Sequence, residues 1–269
     1  MALLLYLVVT VALLFVWARF VQPLTRAAAL VLLVLPLLFT GRALLTDRVY
    51  APIDLPYSYE PLASVARVVP HDIALSDLHC QIIPWQKAVR SALAQGEWPL
   101  WNPHILAGDI LAAAAQPAVY DPFNALALLL PLSLALTFGA SLTFFLAGFF
   151  TWAFARATGR GELASLTAAA AYMFCGMMAF FVAWPLGRAW AFFPFVLFAV
   201  RRVVHERRAG ALLCAFVLLI VAGHPESVLH VAAVGAAYGV FELLRVRTES
   251  RRAIGLAFGA GGVALLLTA

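Results

Sequence analysis

An ionisable side chain is costly in an apolar setting, so the few that this sequence places among hydrophobic residues are the first candidates for chemistry. His71, Asp72, Asp77 and His79 crowd one polar stretch. Two imidazoles and two carboxylates suggest a metal, yet their spacing matches no standard ligand pattern, so neither a metal site nor another cofactor is expected. Asp77 stands just ahead of an apolar-periodic run that begins near Gln81, where it can cap a helix or remain a solvated charge. Lys87 and Arg90 lie three residues apart on that run and can share one anion, or lie against lipid phosphates. Arg188 is alone among apolar residues between Trp184 and Trp190. His224 and Glu226 follow Gly223, and Glu226 shares a helix face with His230 four residues on, in an acid–base arrangement or a structural pair. The three cysteines, Cys80, Cys175 and Cys214, form neither a disulfide framework nor a ligand set. No glycine-rich phosphate loop is present, so ATP and soluble nucleotide donors are not expected.

The elements that must position these groups are transmembrane helices. The chain is 64% hydrophobic and only 12% charged, against about 25% charged in soluble proteins, which excludes a water-soluble fold. A span takes roughly 20 apolar residues. Eight stretches qualify, near Ala2–Trp17, Ala27–Leu45, Leu132–Phe154, Leu163–Ala183, Pro185–Val204, Ala209–Gly223, Ser227–Leu244 and Ala253–Ala269. The expected fold is an all-α polytopic bundle of about eight spans. Those after Pro185 and Ala209 are short, and Pro194 interrupts one, so tilting or kinking is expected there. The first run lacks a positive leader and a cleavage site and reads as a retained helix.

The net charge of +5 suggests nucleic acid less than orientation, because the basic residues follow the breaks between spans. Arg19, Arg26, Arg156, Arg160, Arg201, Arg202, Arg207, Arg208, Arg245, Arg247, Arg251 and Arg252 fall in alternate breaks, which the positive-inside rule assigns to the cytoplasm. The other side keeps Arg42, Arg48, Arg67, Lys87, Arg90 and Arg188. It also holds nine of the thirteen acids: Asp47, Asp54, Glu60, Asp72, Asp77, Glu97, Asp109, Asp121 and Glu226. The N-terminus and the 46–131 segment are therefore expected outside the cytoplasm. The chain divides into two N-terminal helices (1–45), an exoplasmic loop with juxtamembrane helices (46–131) and a helix bundle (132–269). The final apolar run ends at Ala269 without a polar tail, as expected of a piece of a longer protein. Within the loop, Ile82, Trp85, Val89 and Leu93 recur at helical spacing up to Gly96, predicting a surface helix over Ile82–Gln95. Trp85, Trp98 and Trp101 suit the headgroup level.

The loop reads Ser76-Asp77-Leu78-His79-Cys80-Gln81-Ile82-Ile83-Pro84-Trp85, then Gly96-Glu97-Trp98-Pro99-Leu100-Trp101-Asn102-Pro103, Gly108, Gln116-Pro117 and Tyr120-Asp121-Pro122. With the later Gly223-His224-Pro225-Glu226, this series resembles the YfhO-like bacterial membrane proteins, which are similar to GT-C glycosyltransferases. Asp109 departs from the pattern, where a small residue and then Pro are expected after Gly108. The resemblance implies a glycosyltransferase of the bacterial cell membrane that takes a sugar from a polyprenyl-phosphate donor to an envelope glycan, lipid or protein. It implies a base in the first large exoplasmic loop, for which Asp77 is the candidate, with Asp54 and Asp72 in reserve. Lys87, Arg90 and Arg188 would steady the leaving phosphate, and Gln116, His224 and Glu226 would bind substrate. Two rival readings are a transporter or flippase of lipid-linked sugars and a non-catalytic assembly subunit.

Overall fold

A computed structural model describes residues 1–46, 48–66, 68–246 and 250–268. Asp47, Arg67, Arg247 and Ala269, which enter the expectations above, lie outside them. Thirteen α-helices are described: α1 Ala2–Phe20, α2 Arg26–Val34, α3 Leu37–Leu45, α4 Ile83–Ala94, α5 Pro122–Ala127, α6 Leu132–Ala157, α7 Glu162–Met173, α8 Gly176–Phe181, α9 Pro185–Ala191, α10 Phe193–Glu206, α11 Gly210–Val221, α12 Pro225–Val246 and α13 Ser250–Thr268. The described sheet is one two-stranded antiparallel pair, β1 Trp101–Asn102 and β2 Asp109–Ile110.

Among the described residues, α1, α6, α12 and α13 are each long and apolar enough to cross a membrane, and α2 with α3 makes a fifth if the bent pair is one span. The predicted 163–183 and 185–204 segments each divide into two shorter helices, α7 with α8 and α9 with α10. Proline supplies one reason, since Pro185 and Pro194 open α9 and α10 where a missing N–H is tolerated. At the α2–α3 bend of 63°, Pro36 interrupts the backbone ladder. The Tyr6 hydroxyl donates to the Leu33 carbonyl there at 2.8 Å, satisfying an acceptor that water cannot reach in a bilayer.

Helix α6 is the centre of the bundle. It is hydrophobic on all sides, the pattern of a helix surrounded by protein, and 17 of its 26 residues are buried. Its Phe149 and Phe150 meet Trp17 of α1 at ring distances of 5.0 and 6.0 Å, and Phe150 stacks on Phe195 of α10 at 4.3 Å. Such aromatic pairs add about 0.5–1.5 kcal/mol each beyond area burial. Gly148 lets α7 approach, because a β-carbon there would fall 2.1 Å from the Met173 methyl.

At one end of α10 and α12, Glu242 is buried with 3% of its side chain exposed. It accepts from Arg201 at 2.8 Å and Tyr238 at 2.6 Å, and pairs with His205 at 2.7 Å. Arg201 also donates to the Ala157 carbonyl at 2.9 Å, so one carboxylate ties α12 and α10 to the end of α6. The charge pattern counted Arg201 toward orientation; its role as a clamp depends on a partner 41 residues away.

Candidate functional site

A cavity of about 290 Å³ lies where the 46–131 segment meets the bundle. Its outer wall is α4, through Gln86, Val89, Arg90 and Leu93, with Trp98 and Pro99 beyond the helix. The turn at Gln116–Val119 and Asn124 of α5 form a second side, and Gly139 and Thr143 of α6 with Arg188 of α9 form the floor.

A helix forms where the periodicity predicts, over Ile83–Ala94, with Ile82 and Val89 buried. It ends in Gly96 at φ +76°, a left-handed position that glycine takes without a steric penalty. Ahead of it, Leu78–Ile82 forms a π-turn, a rare distortion found often at functional sites. Asp77 begins that turn, is exposed and makes no capping hydrogen bond. The reserve carboxylates are engaged: Asp72 accepts from the Ala74 N–H at 2.9 Å, and Asp54 binds the His71 N–H at 2.9 Å and its imidazole at 2.7 Å.

Those hydrogen bonds from His71 hold the Asp54 carboxyl below its ordinary pKa. A lowered folded pKa means that the contact contributes above the ordinary carboxylate range and is lost as pH falls through the folded value. Relative to an unfolded control substrate that corrects for pepsin's own pH profile, cleavage in the 54–71 segment should therefore rise as pH drops below about 4, and Asp54→Asn should remove that relative rise.

Arg188 is held on all sides. Helix α9 lies close against the end of α8 because Gly187 carries no β-carbon, which would stand 2.0 Å from the Phe181 carbonyl. From there the Arg188 Nε donates to Thr143 at 2.8 Å, Nη1 to Asp121 at 3.2 Å and Nη2 to the Gly139 carbonyl at 3.3 Å. The guanidinium also lies 5.4 Å from the Phe123 ring centre. Only 7% of the Arg188 side chain and 3% of Asp121 are exposed. Asp121 simultaneously caps α5 by accepting the Phe123 N–H at 2.8 Å. Burial raises the Asp121 pKa, and the adjacent Arg188 opposes that rise. The sequence places Asp121 among the expected exoplasmic acids and in the Tyr120-Asp121-Pro122 motif, without a partner; its Asp-Pro step is a helix-start signal, and an isolated Arg188 calls for a counter-ion.

The other candidates are dispersed. Arg90 donates to the carbonyls of Leu130 at 2.7 Å and Ala127 at 2.8 Å, closing the end of α5. Lys87 is exposed and is not among the residues lining the cavity, whereas Arg90 is. Gln116 does line it, in a turn flanked by Ala115 at φ +60° and Ala118 at φ +48°. Positive φ at non-glycine residues costs energy and often marks functional turns. Gly223 holds this turn: a β-carbon would sit 2.5 Å from the Ala115 carbonyl. The next residue, His224, accepts the Ser227 N–H at 3.2 Å on Nδ1, which fixes the proton of a neutral ring on Nε2. Burial lowers its pKa, consistent with a neutral cap for α12. Glu226 is exposed.

No curated protein and no solved structure matches this chain. Residues 68–223 match the family described as bacterial membrane protein YfhO. That segment contains the π-turn, the surface helix, the Gln116 turn and the Arg188–Asp121 pair, and ends on the glycine that packs against the turn. Spanning more than half of the sequence, the match establishes that the chain belongs to the YfhO family of bacterial membrane proteins.

Proposed function

We propose that this protein is a GT-C-type glycosyltransferase of the bacterial inner membrane, moving a sugar from a polyprenyl-phosphate donor to an envelope glycan, lipid or protein. In this reading α7–α8, α9–α10 and α11 complete about eight crossings, and the 46–131 segment faces the exoplasmic side. The observation that carries the proposal is the YfhO family match over residues 68–223; the cavity between that segment and the bundle supplies space for a substrate group, with Asp77 and Lys87 outside its lining. At about 290 Å³ the cavity falls just below the range of ligand sites, roughly 300 to 1,000 Å³.

Asp77 deprotonates the acceptor hydroxyl. That oxygen displaces the lipid phosphate at the anomeric carbon with inversion, so the bond to the acceptor forms as the sugar–phosphate bond breaks. Lys87, exposed on α4, faces the growing charge of the phosphate. In this reading Arg90 and Arg188, which line the cavity while bonded to protein acceptors, support its wall. Gln116 contacts substrate directly, while His224 and Glu226 flank the site.

The 63° bend between α2 and α3 favours one rival, since discontinuous helices are a transporter device. Purified protein in liposomes, given labelled polyprenyl-phosphate sugars and envelope lipid extract, distinguishes the two. The expected result is label in a new glycosidic product. Movement of intact donor across the bilayer with no product from any donor would replace the enzyme by the transporter.

A further inference from the structure

The groups that the cavity leaves open to a ligand are neutral. Arg188 faces Asp121, Thr143 and the Gly139 carbonyl, and Arg90 faces two carbonyls at the end of α5. The amide side chains of Gln86 and Gln116 line the same space and make no hydrogen bond among the described residues. Asn124 gives its Nδ2 to the Ala118 carbonyl at 3.2 Å and keeps its Oδ1 open. Each free amide offers both donors and an acceptor, a combination that suits hydroxyl groups.

An aromatic surface adjoins them. Trp98 lines the cavity while 57% exposed, and Tyr120, 55% exposed, stands beside it with ring centres 6.2 Å apart and planes inclined by 37°. Trp101 is equally exposed but meets Gly108, where a β-carbon would fall 2.5 Å from its indole; its ring packs on the β1–β2 connection instead. The electron-rich face of an indole attracts the weakly positive C–H edge of a neighbouring group, and the flat face of a pyranose presents a row of such C–H bonds.

From this juxtaposition we infer that Trp98, Tyr120, Gln86, Gln116 and Asn124 form a subsite for an uncharged sugar ring. The ring stacks on Trp98 beside Tyr120, and its hydroxyls bond the amides. The phosphate of a lipid-linked donor lies outside this subsite. The assignment deepens the transferase reading and rests on it only for whether the sugar belongs to donor or acceptor.

The test uses the full chain in lipid nanodiscs, with methyl glucoside, methyl mannoside and N-acetylglucosamine as probes and inorganic phosphate as the charged competitor, followed by saturation-transfer NMR. At least one sugar should bind and survive excess phosphate. Trp98→Ala should weaken it about tenfold, Gln116→Ala should weaken it comparably, and Trp98→Phe should stay near wild type. Absence of binding by all three sugars, displacement by phosphate, or unchanged affinity in both alanine variants would overturn the subsite. In the transfer assay, Trp98→Ala should raise KM for donor or for acceptor, and the one affected identifies the sugar's source. Sugar binding without transfer activity would reject the transferase and leave the subsite standing; normal transfer with unchanged KM values in Trp98→Ala would reject the subsite alone.

Discussion

Asp121→Asn is expected to destabilise the protein by about 3–5 kcal/mol, the cost of stranding one member of a buried ion pair. The substitution keeps an oxygen to cap α5 but removes the charge opposite a guanidinium whose side chain is only 7% exposed. Asp121→Ala should cost roughly 1 kcal/mol more, because the Phe123 N–H then loses its acceptor as well. Combining Asp121→Asn with Arg188→Met should recover most of the loss, since replacing both charges by neutral groups avoids the stranded ion. Thr143 tolerates that change because its hydroxyl already donates to the Gly139 carbonyl at 2.9 Å. Unfolding in graded detergent mixtures measures all three. Wild-type stability in Asp121→Asn would show that water in the cavity substitutes for the carboxylate and that the pair does not hold α9 against α5.

Asp77→Asn is expected to lower transfer by about 10² to 10⁴-fold, the usual worth of a positioned general base, with unfolding unchanged. Asp77 is exposed and caps nothing, so its loss removes no described hydrogen bond from the fold. The reserve carboxylates give the opposite signature. Asp54→Asn and Asp72→Asn each disturb a local loop contact and should leave the turnover rate within a few-fold, about the scatter of surface substitutions. Full transfer by Asp77→Asn would remove the base from the mechanism, and a large loss in Asp54→Asn would move it there.

The local features were readable because their causes are local. The surface helix shows in the spacing of Ile82, Val89 and Leu93 and in the stop at Gly96, and the buried helix α6 shows in its unbroken apolar run. The break between α9 and α10 was readable because Pro194 marks it, whereas the bend at Pro36 was not, because hydropathy reports only that the segment is apolar. Ion pairing was hidden for a related reason. Arg188 finds Asp121 67 residues away and Arg90 finds carbonyls 37 and 40 residues away. Types and spacing along the chain identify such cations as needing partners, and only the tertiary arrangement names them. That is why the carbonyl partners of Arg90 at the end of α5 could not be read from its spacing to Lys87.

The arginine contacts at the two ends of α5 have a mechanical consequence. Arg90 latches α4 to its last turn and Asp121 latches its first turn to α9, which makes this six-residue helix a rigid rung between the outer helix and the interior. A displacement of α4 is therefore passed through α5 to α9, and α4 cannot swing away as an independent flap unless one of those two fastenings is first undone.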